Sequence, residues 1–273
     1  DLFPEKIPKM DVLPEKNYPK GKRRARVALV AGCAQNVLEP EIGASTVSVL
    51  VRNGVEVVVP RGQRCCGALH WHSGDGEKAR FFARENLAVF CETYDAVISN
   101  AAGCGSCLQD YPLVLIGDDK EEEARLFSKQ VCDFSVFLDK IGFEPPPPAK
   151  RSLRIAYQDA CHLRHAQKVS EAPRRILRAI PGVELIELAE PDICCGSAGL
   201  YNIEQPDIAY ELGRKKVGHI IAADPDIVVS ANIGCLSQLR YHLRNATVKP
   251  LVLHLAVVLH LAYSGNLGAH TNS

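Results

Sequence analysis

The segment Arg26-Val-Ala-Leu-Val-Ala-Gly-Cys33 indicates the architecture of this protein, because a similar segment occurs a second time in the chain. Its counterpart, Arg154-Ile-Ala-Tyr-Gln-Asp-Ala-Cys161, lies 128 residues further on. In both segments a short, largely apolar run ends near a cysteine, which is typical of a buried strand in a parallel sheet. The sequence therefore predicts two copies of one α/β unit.

The repeat extends to further cysteines. The turn Cys65-Cys-Gly67 recurs 129 residues later as Cys194-Cys-Gly196, and Cys104 recurs 131 residues later as Cys235. Nearly equal offsets at several positions indicate an internal duplication. The run Pro145–Pro148 marks the boundary between the copies, because consecutive prolines form a stiff, extended linker.

These boundaries predict a domain organisation of five segments. They are an N-terminal extension at 1–24, a first cysteine-rich lobe at 25–144, a Pro-rich linker at 145–150, a second cysteine-rich lobe at 151–264 and a C-terminal tail at 265–273.

Short apolar runs alternate with longer amphipathic segments within each copy. This alternation predicts the α/β class, with two pseudo-symmetric lobes that are each a small parallel sheet flanked by helices. The predicted strands are Arg26–Val30, Val55–Val59, Asp95–Ser99, Arg154–Tyr157, Val183–Leu188 and Asp226–Ser230. The predicted helices are Pro40–Arg52, Gly76–Cys91, Glu121–Ile141, Ser170–Ile180, Pro206–Ala222, Cys235–Leu243 and Leu251–Ala262. Ligand sites of such sheets lie at the carboxyl ends of the strands, so we expect the repeated cysteines of each lobe to converge there.

Composition and charge exclude several classes of protein. The 32 basic residues are balanced by 32 acidic ones, which argues against a nucleic-acid binder. The longest apolar stretch, Leu251–Tyr263, is shorter than a membrane span, so no transmembrane segment is expected. The cysteine count of 11 is odd and no export signal is visible, which favours a reducing, cytoplasmic location.

Clustered thiols in such a compartment indicate metal or redox chemistry. Adjacent cysteines chelate one ion poorly but can reach different irons of one polynuclear cluster, so the spacing favours an iron–sulfur cluster in each lobe. The candidate ligands are Cys33, Cys65, Cys66, Cys104, Cys107, Cys161, Cys194, Cys195 and Cys235. A thiol–disulfide enzyme, a zinc-stabilised module and plain core packing remain alternatives. Cys91 and Cys132 lie on predicted helices outside the repeat, where core packing is expected.

The two copies resemble the CCG cysteine-rich domains of heterodisulfide reductase B subunits over residues 25–262. Several segments are most similar to the family of glycolate oxidase iron–sulfur subunits. These segments are Gly32-Cys-Ala-Gln35, Cys65-Cys-Gly-Ala68, His165-Ala-Gln-Lys168, Cys194-Cys-Gly-Ser-Ala-Gly-Leu-Tyr201 and Ala231-Asn-Ile-Gly-Cys235.

This resemblance implies an electron-transfer subunit that is not catalytic alone. It would carry clusters, with 4Fe-4S as the expected type, and relay electrons to a quinone or another acceptor. FAD is expected only on a partner subunit that oxidises glycolate to glyoxylate, and a further small subunit is a candidate partner. Association with the inner face of the membrane would then occur through those partners. A lactate, glycerol-3-phosphate or heterodisulfide reductase type of complex is the alternative.

Two departures from the family pattern matter. The chain begins at Asp1 and lacks the family's N-terminal ferredoxin-like part, so it corresponds to the C-terminal portion of such a subunit or to a shortened relative. The fifth cysteine of the superfamily motif is Cys107 in the first lobe but Gln238 in the second, which leaves at most four thiolates there. His162, His165 and Lys168 follow Cys161 and are candidates for contacting the second cluster or its electron acceptor.

Overall fold

The computed structural model describes residue 8 and residues 12–269, and the chain divides into two compact units. The unit from Pro8 to Ile141 is called lobe one, and the unit that begins at Gly142 is called lobe two. Each contains a largely parallel sheet flanked by helices, which confirms the predicted fold class.

Lobe one contains a five-stranded sheet. Its strands are β1 (Lys16–Asn17), β2 (Ala25–Leu29), β3 (Val55–Val58), β4 (Ala96–Ser99) and β5 (Val131–Asp133). They lie in the order β1-β3-β2-β4-β5, and every neighbouring pair is parallel except β1 with β3. All residues of β3 and β4 are buried, because helices cover both faces of the sheet. The antiparallel β1 was not predicted, since a two-residue strand carries no periodic signal.

The helices of lobe one are mostly short. They are α1 (Cys33–Leu38), α2 (Glu41–Arg52), α3 (Ala68–His72), α4 (Gly76–Val89), α5 (Ala102–Gln109), α6 (Tyr111–Val114), α7 (Glu121–Gln130) and α8 (Phe134–Ile141). Helix α4 begins after Asp75, whose carboxylate accepts a hydrogen bond from the backbone N–H of Lys78 at 3.3 Å. Such a side-chain cap satisfies a donor that has no partner within the helix.

Lobe two contains a four-stranded, wholly parallel sheet. Its strands are β6 (Leu153–Tyr157), β7 (Val183–Ile186), β8 (Ile227–Ser230) and β9 (Leu251–His254), in the order β7-β6-β8-β9. Its helices are α9 (Glu171–Arg178), α10 (Tyr201–Glu204), α11 (Pro206–Ala223), α12 (Ile233–Leu243) and α13 (Leu255–Tyr263), with a π-helical turn at His162–Ala166.

The parallel strands have the same order in both lobes. In lobe one β2 lies between β3 and β4, and in lobe two β6 lies between β7 and β8. The chain therefore leaves the central strand toward one side of the sheet and then crosses to its other side, from β3 to β4 in lobe one and from β7 to β8 in lobe two. A crevice opens at such a switch point, at the carboxyl ends of the strands, and it is the usual ligand site of open α/β sheets.

Two predicted helices are wrong over part of their length. The predicted helix Glu121–Ile141 is interrupted by β5, which pairs with β4. The Asp133 carboxylate then accepts a hydrogen bond from the backbone N–H of Ser135 at 2.8 Å and begins a new helix, α8. The predicted helix Leu251–Ala262 likewise starts with β9, which pairs with β8. A short apolar run fits a buried strand and a buried helix equally well.

The two cysteines outside the repeat also differ from expectation. Cys91 follows α4 and is exposed, so it does not pack in a core. Cys132 lies in β5 rather than in a helix, and burial raises the pKa of its thiol to about 11. Within residues 12–269, the structure forms no helix with the length and apolar character that a membrane span requires.

Candidate metal centres

Cys33 and Cys65 of lobe one lie close together because each follows one of two neighbouring strands. Cys33 is the first residue of α1 and follows β2, while Cys65 lies in the loop after β3. Because β2 and β3 are adjacent and parallel, their carboxyl ends meet at one edge of the sheet. The two sulfur atoms are 3.5 Å apart, and Cys33 is exposed to solvent at this edge.

The remaining thiols of lobe one lie deeper. Cys66 and Cys107 belong to the apolar core, and Cys104 packs against that core from the first turn of α5. The Cys107 thiol is buried and donates to the backbone carbonyl of Cys66 at 3.3 Å. All five candidate cysteines of this lobe therefore lie around the loop that follows β3 and the start of α5.

Hydrogen bonds from the backbone and from two buried side chains hold the Cys65-Cys66-Gly67 turn in place. Gly67 has a φ of +85°, and its N–H donates to the Cys65 sulfur at 3.4 Å. The Asn86 amide donates to the carbonyl of Cys65 at 2.9 Å, and the Tyr111 hydroxyl donates to the carbonyl of Cys66 at 3.1 Å. Sequence reasoning missed these two buried side chains, which position the turn without being cysteines.

Lobe two builds an equivalent turn with closer sulfur contacts. The Gly196 N–H donates to the Cys194 sulfur at 3.3 Å, as in lobe one. The Cys195 and Cys235 sulfur atoms are 3.1 Å apart and both side chains are buried. Cys235 also accepts a hydrogen bond from the Asn232 amide at 3.5 Å. Donors directed at sulfur stabilise negative charge on it.

The four thiols of lobe two have different acidities. A hydrogen bond from Cys161, together with the Gly196 N–H, holds the pKa of Cys194 far below that of a free thiol. The pKa of Cys161 is raised correspondingly, by the same hydrogen bond and by burial. The pKa of Cys235 is lowered chiefly because Cys195 donates to it. In lobe two the pKa values of Cys194 and Cys235 are thus lowered toward the thiolate, the form that binds metal, whereas those of Cys161 and Cys195 are raised.

Three thiols of lobe one, Cys33, Cys65 and Cys107, have raised pKa values instead. The pKa of Cys33 is raised by its hydrogen bond to Cys65 and by burial. The pKa of Cys107 is raised by its contact with Cys66 and by burial. The hydrogen bond from Cys33 lowers the pKa of Cys65. The contact with Cys66 and burial together have the larger effect, so the pKa of Cys65 is raised. The two lobes thus differ electrostatically despite their similar turns.

The three polar candidates that follow Cys161 do not all lie at the thiols of lobe two. His162 opens the π-helical turn, and its Nδ1 is 3.5 Å from the Cys161 sulfur. His165 and Lys168 are exposed, and Lys168 has a φ of +59°, which is unusual for a residue with a side chain. A π-helical turn and a strained backbone often mark functional segments.

Gln238 occupies the position that Cys107 has in lobe one. It lies one turn after Cys235 on α12, is buried, and its Nε2 is 3.2 Å from the Nε2 of His242. Its Oε1 has no hydrogen-bond partner among the described residues. A fifth thiolate is therefore absent from the described part of lobe two.

The number and arrangement of the thiols indicate which kind of metal centre these sites could bind. Among residues 12–269, no three His, Cys, Asp or Glu side chains surround a single ion position. The thiols are gathered in pairs around glycine turns whose N–H groups face sulfur. Sets of four or five thiols with backbone donors at sulfur fit a polynuclear iron–sulfur cluster better than one zinc ion.

Comparison with known proteins agrees with this chemistry. A family profile described as a cysteine-rich domain, CCG, matches residues 27–109 and again residues 155–240. The chain belongs to the CCG cysteine-rich domain family. Each match begins in the first parallel strand of a lobe and ends in or near the helix that carries the last cysteine, so one CCG domain lies in each lobe.

Two kinds of relative share the CCG domains. The chain is 36% identical over 245 residues to the "Probable glycolate oxidase iron-sulfur subunit" of Bacillus subtilis (strain 168), covering 88% of this chain and 55% of the relative. It is 31% identical over 231 residues to the "Glycolate oxidase iron-sulfur subunit" of Escherichia coli (strain K12), covering 82% and 56%. The chain thus spans about half the length of these relatives. It is 30% identical over 237 residues to "Lactate utilization protein A" of Shouchella clausii (strain KSM-K16), covering 85% of this chain and 98% of that one.

A solved structure supports the fold of the two CCG domains. The crystal structure of a hypothetical protein from Helicobacter pylori matches with a TM-score of 0.62 and 11% identity. The match covers 92% of this chain and 50% of that chain. At this identity the similarity shows the fold alone.

The two CCG glycines are expected to differ in their tolerance of a side chain. Both have positive φ, so alanine strains either turn by about 1–2 kcal/mol. A Cβ at Gly67 has its nearest neighbour at 3.5 Å, whereas a Cβ at Gly196 would lie 2.2 Å from the carbonyl oxygen of Ala209. We expect Gly196→Ala to lower the free energy of unfolding by about 1–3 kcal/mol more than Gly67→Ala, as an overpacked site does. Urea denaturation of both variants measures this, and equal losses would contradict it.

Proposed function

We propose that this chain is an iron–sulfur electron-transfer subunit of an oxidoreductase complex. The observation that carries the proposal is the convergence of four or five thiols at the carboxyl edge of each sheet, beside a glycine N–H directed at sulfur. The names of the glycolate oxidase relatives support the same chemistry. The finer assignment is one 4Fe-4S cluster in each lobe.

Each cluster would be held by the thiols of one lobe. In lobe one the ligands are Cys33, Cys65, Cys66 and Cys104, with Cys107 as the fifth candidate. In lobe two they are Cys161, Cys194, Cys195 and Cys235. Such a cluster accepts and donates single electrons. The protein's own part is to hold the sulfur atoms, to direct N–H groups at them and to exclude water from the buried thiols Cys66, Cys195 and Cys235.

The names of the relatives support a partner subunit and a substrate for this chain. The glycolate oxidase names favour a flavin subunit that oxidises glycolate to glyoxylate, with FAD on that subunit only. Electrons would pass through this chain to a quinone or a comparable acceptor, in the cytoplasm or at the inner face of the membrane. The second candidate is lactate oxidation, which is favoured by the 98% coverage of a lactate utilization protein A. A further small subunit is a candidate member of either complex.

The chain alone is expected to oxidise no hydroxy acid. Removing two electrons from the carbinol carbon requires an acceptor such as a flavin, whereas thiol-bound clusters pass one electron at a time. We expect the anaerobically purified chain to contain iron and sulfide and to absorb visible light. Glycolate or lactate should bleach this absorbance only after the flavin subunit is added.

The same experiment separates the alternatives. A chain without iron whose thiols cycle between dithiol and disulfide would indicate a thiol–disulfide protein. Stoichiometric zinc would indicate a structural module. Bleaching or dye reduction by glycolate without the flavin subunit would contradict the proposal that the flavin subunit oxidises the hydroxy acid and this chain transfers the electrons. The hydroxy acid that bleaches the complex faster identifies the substrate.

A further inference from the structure

A buried lysine lies on α11, the helix against which the Cys194-Cys195-Gly196 turn packs. Lys216 is on α11 and is 0% exposed. Its ammonium donates to the backbone carbonyls of Glu190 at 3.1 Å and of Pro191 at 3.4 Å. In the described part of the chain, no carboxylate forms an ion pair with it. Fully buried lysines are rare without a partner, so this position requires an explanation.

The backbone is strained at the point where it binds this ammonium. Glu190 has a φ of +45°, in the left-handed region that residues with side chains seldom adopt. Its side chain points away from Lys216 and pairs with Lys215 at 2.8 Å and with His219 at 3.3 Å. The strained conformation therefore serves to present a carbonyl oxygen to a buried cation. Strain of this kind is retained where the surrounding structure or the function requires it.

The charged groups around Lys216 leave the thiols as its acidic counterpart. Burial lowers the pKa of Lys216, whereas Asp159 and the thiols of Cys195, Cys194 and Cys235 raise it. The Asp159 carboxylate is already paired with Arg174 at 2.7 Å and with Arg164 at 3.3 Å. The thiols of Cys195, Cys194 and Cys235 are therefore the acidic groups near the ammonium that are not already paired with an arginine among the described residues.

Lobe one carries a neutral residue at the matching place. The first glycine turn packs on Ala79 of α4, and the second packs on Ala209 of α11. Asn86 is seven residues after Ala79, and Lys216 is seven residues after Ala209. Both side chains are buried and donate to backbone carbonyls in the loop that carries the cysteine pair. The two lobes thus differ by one buried charge at equivalent positions.

We propose that Lys216 is a positioning residue for lobe two, whose positive charge raises the reduction potential of that lobe's cluster above the value it would have with a neutral side chain at this place. This inference rests on the proposed function, because it requires a cluster in each lobe. Reduction adds one electron to a group that is already negative, and a nearby buried cation favours the reduced state.

The test is a redox titration followed by electron paramagnetic resonance, with iron content measured on the same samples. The lobe-two signal is isolated by a Cys66→Ser background, which removes a ligand of lobe one. In that background Lys216→Met keeps the length of the side chain and removes its charge, while Lys216→Arg keeps the charge. We expect Lys216→Met to lower the equilibrium constant for reduction about tenfold, which is about 59 mV for one electron. The Arg variant should retain most of the native potential.

A reverse variant covers the case in which Lys216→Met does not fold. In a Cys195→Ser background, Asn86→Lys should raise the potential of lobe one. Retained iron with unchanged potentials in both variants would overturn this inference and leave the proposed function intact. A native chain that binds no iron would overturn the proposed function and the inference with it. If Lys216→Met loses its iron while Asn86→Lys leaves the lobe-one potential unchanged, Lys216 only maintains the site and the inference is wrong.

Discussion

Replacement of Cys195 with serine is expected to remove the iron of lobe two while lobe one keeps its own. Cys195 is 1% exposed, and its sulfur lies 3.1 Å from that of Cys235. A serine oxygen is harder than sulfur and sits closer to the main chain, so it cannot replace a soft thiolate ligand in this buried place. Iron and acid-labile sulfide should fall by about half, as expected when one of two clusters is lost.

Two further variants make this prediction specific. Cys66→Ser changes the matching residue of lobe one, so it should remove the other half of the iron. Cys91→Ser is the matched control, because Cys91 is exposed and lies outside both sites. Native iron content in Cys195→Ser, or an equal loss in Cys91→Ser, would refute the assignment of lobe-two ligands.

Replacement of Arg174 with methionine is expected to cost about 3–5 kcal/mol of the free energy of unfolding, the usual effect of removing one partner of a buried ion pair. The Arg174 side chain is 5% exposed and that of Asp159 is 2% exposed. The guanidinium donates to both carboxylate oxygens of Asp159, at 2.9 and 2.7 Å, and also lies over the ring of Tyr157. Without it, the longer contact with Arg164 is the one ion pair that the described residues leave to this buried carboxylate.

Arg178→Met is the matched control for this prediction. Arg178 lies four residues further along the chain and, like Arg174, pairs with Glu187, but its side chain is 52% exposed. An exposed pair contributes about 0–1 kcal/mol, so urea denaturation should barely distinguish this variant from the native chain. Because Asp159 lies two residues before Cys161, Arg174→Met should also weaken iron binding in lobe two. Equal stability of the two variants would show that the Asp159–Arg174 pair is not a principal contact.

The repeat in the sequence was sufficient to predict the architecture. Buried parallel strands are apolar on both faces, so the runs around Val27, Val97 and Ile155 are visible without any knowledge of their neighbours. The same reasoning placed the cysteines at the carboxyl ends of these strands. It failed at Val131–Asp133 and Leu251–His254, because a short apolar run beside a helix carries no signal that separates strand from helix.

The chemistry of the candidate sites depended on packing that no spacing encodes. The sequence alone provided eight candidate thiols, whose positions recur at nearly constant offsets, and Cys107 as their unrepeated neighbour. Only the tertiary structure brought Cys195 next to Cys235, lowered the pKa of the Cys194 thiol, and buried Lys216 and Asn86 at equivalent places. These features arise where a helix packs against a distant turn. The spacing of apolar residues indicates where a strand ends. The burial and the electrostatic environment of a site depend on which side chains pack around it.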